Sequence, residues 1–195
     1  MLNLHKSDGN IAFYLGKAMM TKTKRLVTGA FMLALVMVLP FVTMQIPLLG
    51  VMLSPMHIPA LLTGFLCGPV LGLLIGFLMP LLRSVLFGMP VFYPNAVSMA
   101  FELATYGFVS GFIYHRYKSQ NIKKVYITLL LSMLLGRIVW GVTRVIMLNV
   151  AHTPFSWQIF ITDGFIRAVP AILLQLILIP LILDRLDQAH ILPYR

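Results

Sequence analysis

The sequence predicts an all-α integral membrane protein of six transmembrane helices, with a short second helix and both termini cytoplasmic. Of 195 residues, 59% are hydrophobic and only 10% charged, the reverse of what a soluble domain presents to water. Predominantly apolar runs at 26–42, 125–138 and 168–183 lie in stretches long enough, at about 1.5 Å per residue, to cross a hydrocarbon core of about 30 Å. The placement of lysine and arginine then sets the number of crossings.

Residues 1–21 are mixed and only weakly apolar, and they read as a cytoplasmic extension in which Met20 is an alternative start to Met1. The basic cluster Lys22, Lys24 and Arg25 follows, and then the first apolar block, 26–43. A secretory signal needs a short apolar core and a small-residue cleavage site, whereas this block runs through Pro40 into more apolar sequence, so it is a retained span. The next block, 58–87, holds 30 residues interrupted by Gly68 and Pro69 and admits either one over-long helix or two short ones joined by a tight turn. Blocks at 96–113, 125–148 and 165–183 complete a single membrane domain over 22–187, and 188–195 form a cytoplasmic tail.

Loop charge decides the ambiguous block. The segment 115–124 carries four Lys or Arg and belongs on the cytoplasmic side with Lys22, Lys24 and Arg25. An even number of crossings must separate the two, and only the two-helix reading of 58–87 gives one. The three outer loops that result, 48–57, 88–93 and 150–162, contain no Lys or Arg, and eleven of the fifteen basic residues fall inside. The formal charge of +10 therefore reflects cytoplasmic loops against anionic headgroups rather than nucleic-acid binding. The lone cysteine, Cys67, has no partner for an internal disulfide and reads as a small packing residue.

The second helix, about 58–67, rises only about 15 Å and cannot cross unaided. Such a segment is tolerated at membrane depth where protein surrounds it or a polar cavity adjoins it. Gly64, Gly68, Gly72 and Gly76 recur every four residues, and Gly107 with Gly111 repeats the spacing; small residues so placed let helix backbones approach closely in lipid. Ala30 and Ala34 form another such pair in helix one.

With its length, helix count and Ala-x-x-x-Ala pair, the chain resembles the substrate-binding S component of energy-coupling factor (ECF) vitamin transporters. The segments 56–69 (MHIPALLTGFLCGP), 80–90 (PLLRSVLFGMP) and 99–107 (MAFELATYG) look like S components assigned to pantothenate, and the likeness extends over about 24–183. The resemblance implies a non-catalytic subunit of a bacterial cell membrane that binds a vitamin from outside, with no cofactor or metal of its own. It would dock on a transmembrane coupling protein (T component) and two cytoplasmic ATPases (A components), with Ala30 and Ala34 against the coupling protein. Pyridoxine or a pyrimidine precursor of thiamine stays open as an alternative substrate. The chain has no phosphate-binding Gly-rich loop with Lys and Ser/Thr, so ATP hydrolysis falls to the partners.

Charged side chains inside a membrane cost several kcal/mol unless paired or solvated, which makes Arg83, Glu102, Arg137, Arg144, Asp163 and Arg167 functional candidates. Asp163 and Arg167 read as an i,i+4 pair at the start of helix six. Arg137 and Arg144, with Trp140 between them, make a cationic face with an aromatic wall on helix five; Asn95, Ser98, Glu102 and Tyr106 make a polar stripe on helix four. Facing each other, the two stripes would enclose a mixed pocket. The four arginines exceed the two carboxylates by two charges, which an anionic ligand would relieve. Pantothenate offers a carboxylate for bidentate guanidinium contact and hydroxyls and an amide for Asn95, Glu102 and Tyr106. His57, placed in the outer loop, either caps the ligand or is a bystander, and His152 ranks below it.

Two rival classes are weaker. An intramembrane enzyme would use His57, Glu102 and Asp163 as acid-base groups, but the chain has no His-Glu-x-x-His and no Gly-x-Ser-x-Gly. A stand-alone secondary transporter would be expected to carry an inverted repeat, and none is detectable.

Overall fold

The computed structural model describes residues 22–42, 54–116, 122–150, 158, 161–166 and 168–189. Among the described residues six α-helices follow in order: α1 (Lys22–Val42), α2 (His57–Cys67), α3 (Pro69–Phe87), α4 (Val97–Arg116), α5 (Ile122–Val150) and α6 (Val169–Gln188). Single π-helical turns, Phe92–Ala96 and Thr162–Ile166, lead into α4 and α6. Among the described residues, four helical segments are long and apolar enough to cross a membrane: α3, the first π-turn together with α4, α5, and α6. Helix α1 has 21 residues and opens on Lys22, Lys24 and Arg25, whereas α2 has only 11. The extension before residue 22, most of the first outer loop, His152 and the side chains of Asp163 and Arg167 lie outside the described residues.

The block at 58–87 is two helices. Gly68 ends α2 at φ 90°, a left-sided conformation that a β-carbon disfavours, and Pro69 opens α3, where its missing N–H is not needed. All eleven residues of α2 are buried. A helix too short to cross is thus enclosed by protein on every side, which removes the penalty of ending it at membrane depth.

The lower end of α2 is tied to the basic segments. Arg25 donates from Nε to the Cys67 carbonyl at 2.7 Å and from Nη2 to the same oxygen, and Cys67 Sγ approaches the Arg25 carbonyl at 3.4 Å. Nε2 of His115, in the last turn of α4, bonds the Gly64 and Phe65 carbonyls at 3.2 and 3.0 Å. The Gly64 carbonyl also accepts the Gly68 N–H, so His115 and Arg25 add partners for the Phe65 and Cys67 carbonyls, two of the last four, which no helical N–H would satisfy. Arg25 and His115 belong to the cytoplasmic clusters, so Cys67 lies at the inner level and His57 about 15 Å above it, near mid-membrane.

Helix α4 is the centre of the bundle and packs on α2, α3 and α5. Gly72 and Gly107 let α3 and α4 meet backbone to backbone: a β-carbon on either would overlap the other's carbonyl. Gly64 and Gly76 approach the carbonyls of Gly107 and Leu103 in the same way. Around these contacts the core fills with Phe65, Leu61, Met79 and Leu103, all without exposed surface.

Candidate functional site

At the level of the α2 N-terminus, three elements converge on one carboxylate. Glu102 of α4 is 1% exposed, and its Oε1 lies 3.2 Å from Nη1 of Arg137 on α5 and 3.4 Å from Nε2 of His57 on α2. One turn along α4, the Tyr106 hydroxyl donates to the same oxygen at 3.0 Å. Tyr106 reaches this position because α5 presents Gly136 there; a β-carbon would run into the phenol ring. The Tyr106 ring also lies against His57, with centroids 5.3 Å apart.

Nδ1 of His57 and Nε of Arg137 are buried without a hydrogen-bond partner, and Nε2 of His57 has only its 3.4 Å approach to Glu102. Tyr106, His57 and Arg137 all approach Oε1 of Glu102 rather than Oε2. Leaving a buried polar group unsatisfied costs about 1–3 kcal/mol, so a cluster of such atoms marks a place where another molecule is expected to complete the bonding.

Arg144 lies two turns further out on α5. Its Nη1 donates to Oδ1 of Asn95, at the end of the π-turn before α4. Trp140 stands between the two arginines, 5.9 Å from each guanidinium carbon to its ring centroid. Gly164, in the turn before α6, closes on the indole, where a β-carbon would sit 3.0 Å from Cζ3 of the ring. The Tyr93 hydroxyl donates to the Met147 carbonyl at 2.5 Å and joins Asn95 in fastening the π-turn to the outer end of α5.

The structure therefore brings His57, Asn95, Glu102, Tyr106, Arg137, Trp140 and Arg144 into one column running outward from mid-membrane. His57 is not in the outer loop, as the sequence suggested, but is the first residue of α2 and 3% exposed. The chain turns into helix one residue earlier because Pro59 fits the first turn of a helix, where its missing N–H is no loss. Arg83 stands apart from the column. Its Nη1 donates to the Met37 carbonyl at 3.0 Å and its guanidinium packs against the touching rings of Phe41 and Phe87, so it joins α3 to α1. Gln175 of α6, 2% exposed, was not singled out by any motif; its signal is a lone amide within the apolar run 168–183.

No group of three or more His, Cys, Asp or Glu that could hold a metal ion comes together among the described residues. The column offers charge and hydrogen bonds to a bound molecule within an apolar bundle. The chain matches the family described as ECF transporter, substrate-specific component, over residues 24–188. No curated protein and no solved structure matches it.

Proposed function

This chain belongs to the family of ECF transporter substrate-specific components, and from that membership we propose that it captures a small anionic vitamin, pantothenate in the first place, for an ATP-driven importer. The observation that carries the reading is the column from Glu102 to Arg144, in which two arginines flank one indole and the deeper of them is matched by a carboxylate. Polar groups held this way in a membrane bundle are retained for a ligand or a pathway.

Delivery falls to partners: a coupling protein in the membrane and two ATPases beneath it. Ala30 and Ala34 are both exposed on α1, one turn apart, and give a shallow strip where a partner helix can pack closely. A second reading, a neutral aromatic vitamin such as pyridoxine, draws on the Trp140 wall and the Glu102 acceptor. Reconstitution of the chain in vesicles with and without coupling protein and ATPases tests the role. Pantothenate uptake that needs the partners and ATP is the expected result, and uptake by the chain alone would overturn it.

A further inference from the structure

We propose that Gln175 of α6 is a further substrate contact, its amide meeting a hydroxyl or amide of the ligand at the level of Glu102. This deepens the reading of the column as the substrate site and rests on it.

Gln175 faces the inside of the bundle. Ala171, Gln175, Ile179 and Leu183 are buried at helical spacing along α6, whereas Leu173 and Ile177, on the opposite side, are 57% and 69% exposed. Ile179 and Leu183, further inward on the buried face, share one core cluster with Leu62 and Phe65 of α2, and α6 packs on both α2 and α5.

Depth follows from the inner ends of the helices. Asp187 of α6 is near enough to the Tyr114 hydroxyl of α4 to act on it electrostatically. Both helices run inward, and twelve residues separate Gln175 from Asp187 and Glu102 from Tyr114, about 18 Å along each axis. Gln175 and Glu102 therefore stand at one level, which is also that of His57 at the head of α2.

A glutamine inside a membrane bundle ordinarily acts as glue, bonding to a neighbouring helix. Gln175 does not: it is 2% exposed, and among the described residues no hydrogen bond engages its amide. At the same level Nδ1 of His57 and Nε of Arg137 are buried and unpartnered. Three helices thus bring unmet polar groups to one depth, and such groups cost stability unless a further molecule bonds them.

Their chemistry sets the complement. Arg137 Nε only donates, and the Gln175 amide offers two N–H donors beside one carbonyl acceptor. A hydroxyl or an amide, accepting at oxygen and donating from O–H or N–H, satisfies both. An apolar group strands them, so Gln175 selects ligands whose deep portion is polar.

Calorimetric titration of the detergent-solubilised full chain with pantothenate and with pyridoxine, for wild type and Gln175→Leu, tests the contact when paired with thermal unfolding of the vitamin-free proteins. Gln175→Leu should weaken binding of whichever vitamin the wild type takes by about tenfold or more. Its unfolding midpoint should stay the same or rise, because an apolar side chain of similar size removes an unpartnered buried amide. Affinity and midpoint falling together would show a structural glutamine and overturn the proposal. Gln175→Met should behave like Gln175→Leu and carries the test where the leucine variant does not fold; failure of both to fold would show that the amide holds the bundle together and would overturn the contact. Affinity within about threefold of wild type in a folded variant would overturn it and leave the substrate reading standing. Binding of neither vitamin to the wild-type chain would overturn the substrate reading, and the contact with it.

Discussion

Nη1 of Arg137 lies 3.2 Å from Oε1 of Glu102, joining α5 to α4 through a pair whose side chains are 11% and 2% exposed. The two are not related by local sequence: Glu102 follows one π-turn into an inward-running helix, and Arg137 lies midway along an outward-running one. A pair buried this deeply behaves asymmetrically, since loss of one partner strands the other while loss of both need not.

Glu102→Ala or Arg137→Ala alone should therefore destabilise the chain by about 3–5 kcal/mol, and Glu102→Leu combined with Arg137→Met should recover most of that loss. Thermal unfolding of the detergent-solubilised variants measures it. Losses that simply add in the double variant would mean that the pair is not coupled.

Arg83→Ala tests whether Arg83, which joins α3 to α1, acts apart from the proposed ligand contacts. Loss of the Met37 bond and the Phe41 and Phe87 contacts should cost about 1–3 kcal/mol of stability. Vitamin affinity should stay within about threefold of wild type. A loss of affinity as large as that from Arg144→Ala would return Arg83 to the binding site.

Gly107→Ala should prevent α3 and α4 from closing, because the new methyl group overlaps the Gly72 carbonyl and backbone cannot swing away. Gly88→Ala is the control: it meets nothing within 4 Å and suffers only from its φ of +71°, a cost of about 1–2 kcal/mol. Size-exclusion profiles should show an aggregated or absent Gly107 variant and a monodisperse Gly88 variant. The reverse order would show that the α3–α4 contact is looser than described.

Arg25→Ala should free the lower end of α2 by removing the bonds to the Cys67 carbonyl. Cys67 is the chain's single cysteine, so its modification by a membrane-permeant maleimide reports that opening without ambiguity. A rate increase of about tenfold corresponds to about 1.4 kcal/mol of lost capping. An unchanged rate would show that Arg25 does not hold this end.

The helices were legible because they rest on signals that act locally. Apolar runs gave the spans, Gly68 and Pro69 marked the break, and the alternation of basic loops required two helices in 58–87. Part of the site was legible for the same reason: helical spacing places Glu102 with Tyr106, and Arg137 with Trp140 and Arg144, on common faces. What spacing cannot convey is which helix a face meets. Arg83 has the same residue type and depth as a ligand contact, yet α3 turns it toward α1, where Phe41 and the Met37 carbonyl receive it. His57 was legible as a nearby polar residue but not as a helix start, because the enclosure of α2 by its neighbours is a tertiary property.

Calorimetric titration of the purified chain, without partners, with pantothenate tests the central claim most directly. The account predicts saturable one-to-one binding that Arg144→Ala weakens about 30-fold or more, as expected when one partner of a buried charged contact is removed. No heat with pantothenate, together with saturable binding of a neutral or cationic vitamin, would contradict it.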